Sequence, residues 1–163
     1  MFLKSWYKNC TNKIKAKGEL KNRGNEAVRT EQIKENHKKD VKILIVDDER
    51  DMCWLLSHVF QDAGYKVITA LNGEEALIEV KKEKPELVIL DVKLPDMNGI
   101  EVLSTIKKVK PEIVVIMISA YGTEEIRKEA MRIGVYDFID KPFSIERILR
   151  TVKKILLDKV RFD

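Results

Sequence analysis

The chain has 163 residues, 44% of them hydrophobic, and a formal net charge of +4. That length fits one domain with at most an appendage; no apolar run approaches the ~20 residues of a membrane span, and the start, Met1-Phe2-Leu3-Lys4-Ser5-Trp6, has no secretory h-region. Residues 1–40 hold eleven Lys/Arg against five acids and residues 41–163 hold twenty against twenty-two, so the overall basicity belongs to the tail and does not describe the domain.

Residues 1–40 are rich in Lys, Asn and Glu, and offer little to bury beyond Phe2, Leu3, Trp6, Tyr7, Ile14 and Leu20. They read as a basic, flexible extension, with a fragile polar helix over Glu26–Lys39. Such a tail suits an anionic membrane surface or nucleic acid, but simple solvation explains it as well. Cys10 and Cys53 form no Cys-x-x-Cys pattern and read as reduced thiols of a cytoplasmic protein.

From Val41 the texture changes. Strand-like apolar runs centre near Leu44, Val67, Val88, Val115 and Asp137, with helical patterns between them. Met52, Leu55, Leu56, Val59, Phe60 and Ala63 repeat at helical spacing, and Gly64 closes that helix. Asn72-Gly73 leads into Glu74–Lys84, where Pro85 forbids continuation. After Asp91, Leu94-Pro95-Asp96-Met97-Asn98-Gly99 is turn chemistry, followed by a helix carrying Ile100, Leu103, Ile106 and Val109. The fourth run spans Ile113 to Ile118 and ends at Ser119. Thr123 caps a helix that stops at Gly134. The fifth run, Val135 to Ile139, leads to Lys141-Pro142, and Ser144 caps the last helix. Five strands alternating with five helices predict an α/β fold: a flavodoxin-like, doubly wound parallel sheet of order 2-1-3-4-5.

A strand buried on both faces has reason to be apolar throughout and none to end in an acid. Yet Lys42–Val46 runs into Asp47-Asp48, Leu87–Leu90 into Asp91, the fourth strand into Ser119 and the fifth toward Lys141. Ligands sit beyond the carboxyl ends of such strands, and the predicted order makes the first and third strands neighbours. Like charges ~5 Å apart repel by roughly 3 kcal/mol at an effective dielectric near 20, so three carboxylates and one lysine call for a further cation. A hard divalent ion such as Mg²⁺ suits those oxygens. A carboxylate beside Mg²⁺, a hydroxyl and an ammonium points to phosphoryl transfer onto the carboxylate. The bland reading, in which Asp47-Asp48 cap a helix and Asp91 lies in a turn, explains any one acid but not all five polar positions.

Residues 41–163 resemble the receiver domain of two-component response regulators. The resemblance rests on Ile45-Val46-Asp47-Asp48-Glu49, Leu90-Asp91-Val92-Lys93-Leu94-Pro95-Asp96-Met97-Asn98-Gly99, Ile118-Ser119-Ala120-Tyr121-Gly122 and Phe138-Ile139-Asp140-Lys141-Pro142-Phe143. It implies Asp91 as phosphoacceptor and Asp48 as direct Mg²⁺ ligand. Asp47 would act beside it through water, and the Lys93 backbone carbonyl would complete the shell. Ser119 and Lys141 would bind the phosphoryl group. Phe138 would be an aromatic switch that rotates into space vacated when Ser119 moves inward. The Lys141-Pro142 bond would be cis, as in many such domains.

The resemblance also implies a histidine kinase or histidine phosphotransfer protein as partner. The docking surface would include Asp51, Met52, Leu55, His58, Pro142 and Phe143, although Met52 and Leu55 share the buried stripe of their helix and could simply be core. With no DNA-binding output domain after the last helix, the signal would leave through a downstream protein or by onward phosphotransfer. Such a domain accepts its own phosphoryl group and is not a conventional enzyme. Two other readings compete: a Mg²⁺-dependent phosphohydrolase with an aspartate nucleophile, and an unphosphorylated pseudo-receiver scaffold. The first commonly needs an acid two residues after the nucleophile, where this chain has Lys93. Trp54 falls opposite the apolar stripe of its helix and is expected to be exposed. His58 lies near the same surface without a second metal-ligating neighbour.

Overall fold

The computed structural model describes residues 41–160, so the expected extension, its polar helix and Cys10 lie outside the described residues. The elements in order are β1 (Lys42–Val46), α1 (Arg50–Asp62), β2 (Lys66–Ala70), α2 (Gly73–Glu83), β3 (Leu87–Asp91), α3 (Gly99–Val109), β4 (Val114–Ser119), α4 (Glu124–Ile133), β5 (Asp137–Asp140) and α5 (Ile145–Val160). The strands form one sheet of order β2-β1-β3-β4-β5, parallel throughout, as the alternation predicted. Among the described residues no helix is long and apolar enough to cross a membrane.

The strand period of two divides the apolar residues between two layers. Ile43, Ile45, Leu87, Ile89, Ile116 and Ile118 face one way and pack with Leu56, Phe60, Ile148 and Val152 of α1 and α5. Leu44, Val46, Val88, Leu90, Val115 and Met117 face the other way and pack with Ala76, Val80, Leu103, Ile106 and Ala130 of α2, α3 and α4. Each such aliphatic side chain, once withdrawn from water, stabilises the fold by roughly 1.5–3 kcal/mol. The central strands therefore cannot slide without exposing a full row, and that rigidity fixes the strand ends in space.

Some boundaries differ from the sequence reading, for reasons of local hydrogen bonding. Ile113 is buried, but its N–H donates to the Lys110 carbonyl in a turn, so β4 starts one residue later. The Val135 N–H donates back to Ala130 at the end of α4, and although the Tyr136 N–H reaches the Val115 carbonyl, β5 begins only at Asp137. Ala63 caps α1, with Gly64 at φ +93° beyond it. Lys84 leaves α2 by adopting φ +50° itself, a conformation uncommon for a side-chain-bearing residue. Val109, assigned to an apolar stripe, is exposed at the end of α3.

Candidate functional site

Strand pairing places the first two acids side by side. Val46 of β1 pairs with Leu90 of β3, so Asp47 and Asp91 leave adjacent strand ends. Each acid divides its oxygens in the same way. Asp47 Oδ1 accepts from the Glu49 N–H at 2.9 Å and Asp91 Oδ1 from the Lys93 N–H at 3.0 Å, both local turns two residues long. The Oδ2 atoms converge on the Lys141 ammonium, at 2.8 Å from Asp47 and 2.6 Å from Asp91. The side chains of Asp47 and Asp91 are buried and that of Lys141 is largely covered, with 5%, 8% and 12% exposure respectively. Asp48 stands in solvent, and Glu49 approaches the same ammonium at 3.6 Å.

This arrangement meets the like-charge problem in two ways. One lysine bridges the two buried acids, and water solvates the third. Burial raises the Asp47 carboxyl above its ordinary value, and the hydrogen bonds from Lys141 and Glu49 offset only part of that rise. Burial works to lower the Lys141 ammonium, but its bonds to Asp47 and Asp91 outweigh this and hold it charged far above neutral pH. The Cys53 thiol, packed beneath the site with its Sγ 3.3 Å from the Asp47 carbonyl, is pushed up to about 11 by burial and is protonated at neutral pH.

The cluster still carries more negative than positive charge at its mouth. Carboxylate oxygens of Asp47, Asp48 and Asp91 lie within 4.8 Å of one another. An all-oxygen donor set of that size, partly open to water, fits a hard divalent cation.

Ser119 closes the next strand end. Its Oγ is buried and accepts from the Tyr121 N–H at 3.0 Å, which leaves the hydroxyl proton available to donate. The Lys141 N–H donates to the Ser119 carbonyl at 2.8 Å, so the tips of β4 and β5 are tied together. Lys93 is exposed, its ammonium 5.8 Å from the Tyr121 ring centre. The Lys141-Pro142 bond is cis.

Phe138, the expected switch ring, is buried, only 7% exposed. Room for it exists because residue 122 is glycine; a Cβ there would meet the ring at 2.6 Å. Of the expected docking surface, Leu55 is buried in the core and presents nothing to a partner. Asp51 and Pro142 are exposed, while Met52, His58 and Phe143 are half-buried. Trp54, expected in solvent, is half-buried: it packs against the core edge and lies 4.2 Å from the His58 ring, one turn on. His58 Nδ1 donates to the Trp54 carbonyl at 2.8 Å, a helix-surface contact unrelated to metal binding.

Three residues shape the site without having been singled out in the sequence. Asp96 accepts from the Gly73 and Glu74 N–H groups, both at 2.8 Å, and so ties the loop after β3 to the start of α2. These bonds, the one from Gly73 first, hold its carboxyl below the usual value. Gly99 packs against the Asp91 backbone itself. Arg127 of α4 lies over the Phe138 ring and pairs with Asp140. Composition gave Asp96 and Gly99 a turn role and no more; for Arg127 the sequence carried no local signal, because its partners lie 11 and 13 residues further on.

Comparison with known proteins gives a consistent result. A family model described as a response regulator receiver domain matches residues 43–153. Sporulation initiation phosphotransferase F of Bacillus subtilis is 44% identical over 115 residues, which cover 71% of this chain and 93% of that protein. The alkaline phosphatase synthesis transcriptional regulatory protein PhoP, also of Bacillus subtilis, is 41% identical; the match covers 71% of this chain but only 48% of that longer protein. Among solved structures, a CheX–CheY complex with BeF3 and Mg²⁺ from Borrelia burgdorferi superposes with a TM-score of 0.68 at 36% identity, covering 71% of this chain and 89% of that one.

Proposed function

This chain belongs to the response regulator receiver family of two-component systems, and from that premise we propose that Asp91 accepts a phosphoryl group from a histidine kinase or a histidine phosphotransfer protein. One observation carries the reading: a buried carboxylate at the end of a central strand, held 2.6 Å from a largely covered ammonium and within 4.8 Å of two further acids. In this reading residues 41–163 form the receiver, residues 1–40 a basic extension, and the protein acts in the cytoplasm.

Asp48, from the solvent side, would bind Mg²⁺ directly; Asp47 would act through water, and the Lys93 carbonyl would complete the oxygen set. The Borrelia burgdorferi complex holds BeF3 and Mg²⁺, which supports a Mg²⁺ requirement without naming its ligands. When bound, the ion supplies positive charge against the oxygens of the incoming phosphoryl group. The chain's own residues do the rest. An Asp91 oxygen forms the bond to phosphorus as the bond to the donor nitrogen breaks and the imidazole leaves. Lys141 exchanges its bond to Asp91 for one to a phosphoryl oxygen, and the Ser119 hydroxyl donates to another. Asp91 is itself modified, so the domain is an acceptor and no conventional enzyme. Likeness to a sporulation phosphotransferase favours onward transfer as one output, and contact with a downstream protein is the other.

Incubation with acetyl phosphate and Mg²⁺ is expected to add one acid-stable, base-labile phosphoryl group, and chelation to prevent it. Failure to label, or a label with the acid lability of phosphohistidine, would remove the proposal. Stability gives a second measurement. Binding to the folded state alone adds about 1.4 kcal/mol at ten times the Kd, so wild type is expected to melt several degrees higher with saturating Mg²⁺. Asp48→Ala should raise metal-free stability by about 0.5 kcal/mol, a small gain because Asp48 is exposed, and should abolish the Mg²⁺ response. A wild-type melting temperature indifferent to millimolar Mg²⁺ contradicts the assignment.

A further inference from the structure

The Phe138 ring is buried, and two contacts converge on it. Gly122 lies against one edge, leaving no room for a side chain. The guanidinium of Arg127 covers the ring at 4.5 Å from its centre, inside the range where a cation and an aromatic face attract. The same guanidinium pairs with Asp140, two residues beyond Phe138 on the same strand. Arg127 therefore spans the outside of β5 and grips it at two points, one apolar and one charged.

Asp140 is also the register partner of Ser119 across β4 and β5, and Lys141 follows it directly. The Lys141 N–H bonds the Ser119 carbonyl, and the Lys141 ammonium bonds both buried acids. A movement at Asp140 must therefore reach the two groups assigned to the phosphoryl oxygens. Arg127 sits in the second turn of α4, whose N-terminus is fixed by the Thr123 cap, so its reach to β5 is set by helix position rather than by a free loop.

We propose that Arg127 is a positioning residue: its stack on Phe138 and its ion pair with Asp140 form a latch that holds the switch ring inward and keeps Ser119 and Lys141 in place to receive the phosphoryl group. This rests on the phosphoacceptor reading above and specifies its regulation. An arginine suits both contacts at once, since its planar group stacks and pairs together, whereas lysine retains the charge without the stacked plane. If the latch couples β5 to the site, a protein that pulls Arg127 off Asp140 would discourage phosphoryl uptake.

The test follows the Phe138 ring signals by NMR in the full chain labelled with ¹³C-phenylalanine, alongside Mg²⁺-dependent labelling from acetyl phosphate. Wild type is expected to show one buried ring environment. Arg127→Ala should shift or broaden the Phe138 signals and slow labelling about fivefold, the scale of one exposed ion pair combined with one cation–π contact. Asp140→Asn, at an exposed position that tolerates the change, should act in the same direction and covers the case in which Arg127→Ala folds poorly. Arg127→Lys should restore labelling in part. A melting transition close to that of wild type in all three shows that a changed labelling rate is not a general loss of structure. Ring signals unchanged in Arg127→Ala and Asp140→Asn overturn the latch. Signals that move while labelling keeps its wild-type rate overturn its coupling to the site. A wild type that takes no label refutes the phosphoacceptor reading instead, and the ring signals still decide whether the latch exists.

Discussion

Asp91→Asn is expected to take up no measurable phosphoryl group, a loss of about a hundredfold or more, while folding as well as wild type. The amide has nearly the carboxylate's shape. With one acceptor oxygen in place of two, it keeps either the Lys93 N–H bond or the Lys141 bond and turns its NH2 toward the other donor, a local cost that leaves the apolar packing of β3 in place. The charge and nucleophilic oxygen are what disappear. Removing that charge also relieves Asp47, whose carboxyl is raised chiefly by burial and further by its negative neighbour. That relief offsets part of the lost Lys141 pair, so melting temperature should stay near the wild-type value as labelling vanishes. That combination separates a chemical role from a structural one. Label retained at wild-type level by Asp91→Asn would move the nucleophile elsewhere, with Asp47 the first residue to examine.

The sheet order and both core layers were legible in the chain because they depend on periodicity, and each apolar run is long enough for its period to be read. Asp47, Asp91, Ser119 and Lys141 were legible for a related reason: polar residues at the ends of fully apolar strands stand out against their background. What escaped was set by contacts between elements. Trp54 lies off the apolar stripe of α1, yet an indole is large enough to reach the core edge and to lie against the His58 ring, so its wheel position misjudged its exposure. Leu55 belongs to the stripe and is core, which removes it from a docking surface to which resemblance alone had assigned it. The inward ring of Phe138 depends on Gly122 and Arg127 together, a three-element packing that no local pattern announces.

Gly99 gives the second large effect, and it separates two reasons for a glycine. At Gly64 the backbone has φ +93° but nothing lies within 4 Å of a would-be Cβ, so Gly64→Ala incurs only the left-handed conformational penalty, about 1 kcal/mol. Gly99, at the start of α3, has no positive φ; its difficulty is space. A Cβ there would overlap the Asp91 carbonyl oxygen and approach the Val92 Cα to 2.9 Å, and backbone cannot swing aside as a side chain can. The Gly99 N–H also donates to the Val92 carbonyl at 2.7 Å, which locks the two segments at that separation. Gly99→Ala must push the end of β3 away from α3, and is expected to destabilise the fold by about 2–3 kcal/mol. The displaced residue is Asp91, whose carboxylate is held by Lys141 at 2.6 Å and whose geometry toward an incoming phosphorus is set by the same strand end. A shift of ~1 Å at a reacting group lowers rate by about a hundredfold, so labelling should fall much further than the loss of folded protein explains. Gly64→Ala, carrying the smaller penalty on the far side of α1, should label at the wild-type rate once corrected for folded fraction. Should Gly99→Ala melt and label like wild type, the loop after β3 has more freedom than its packing against Asp91 indicates, and the strand end does not owe its position to the bare backbone at residue 99.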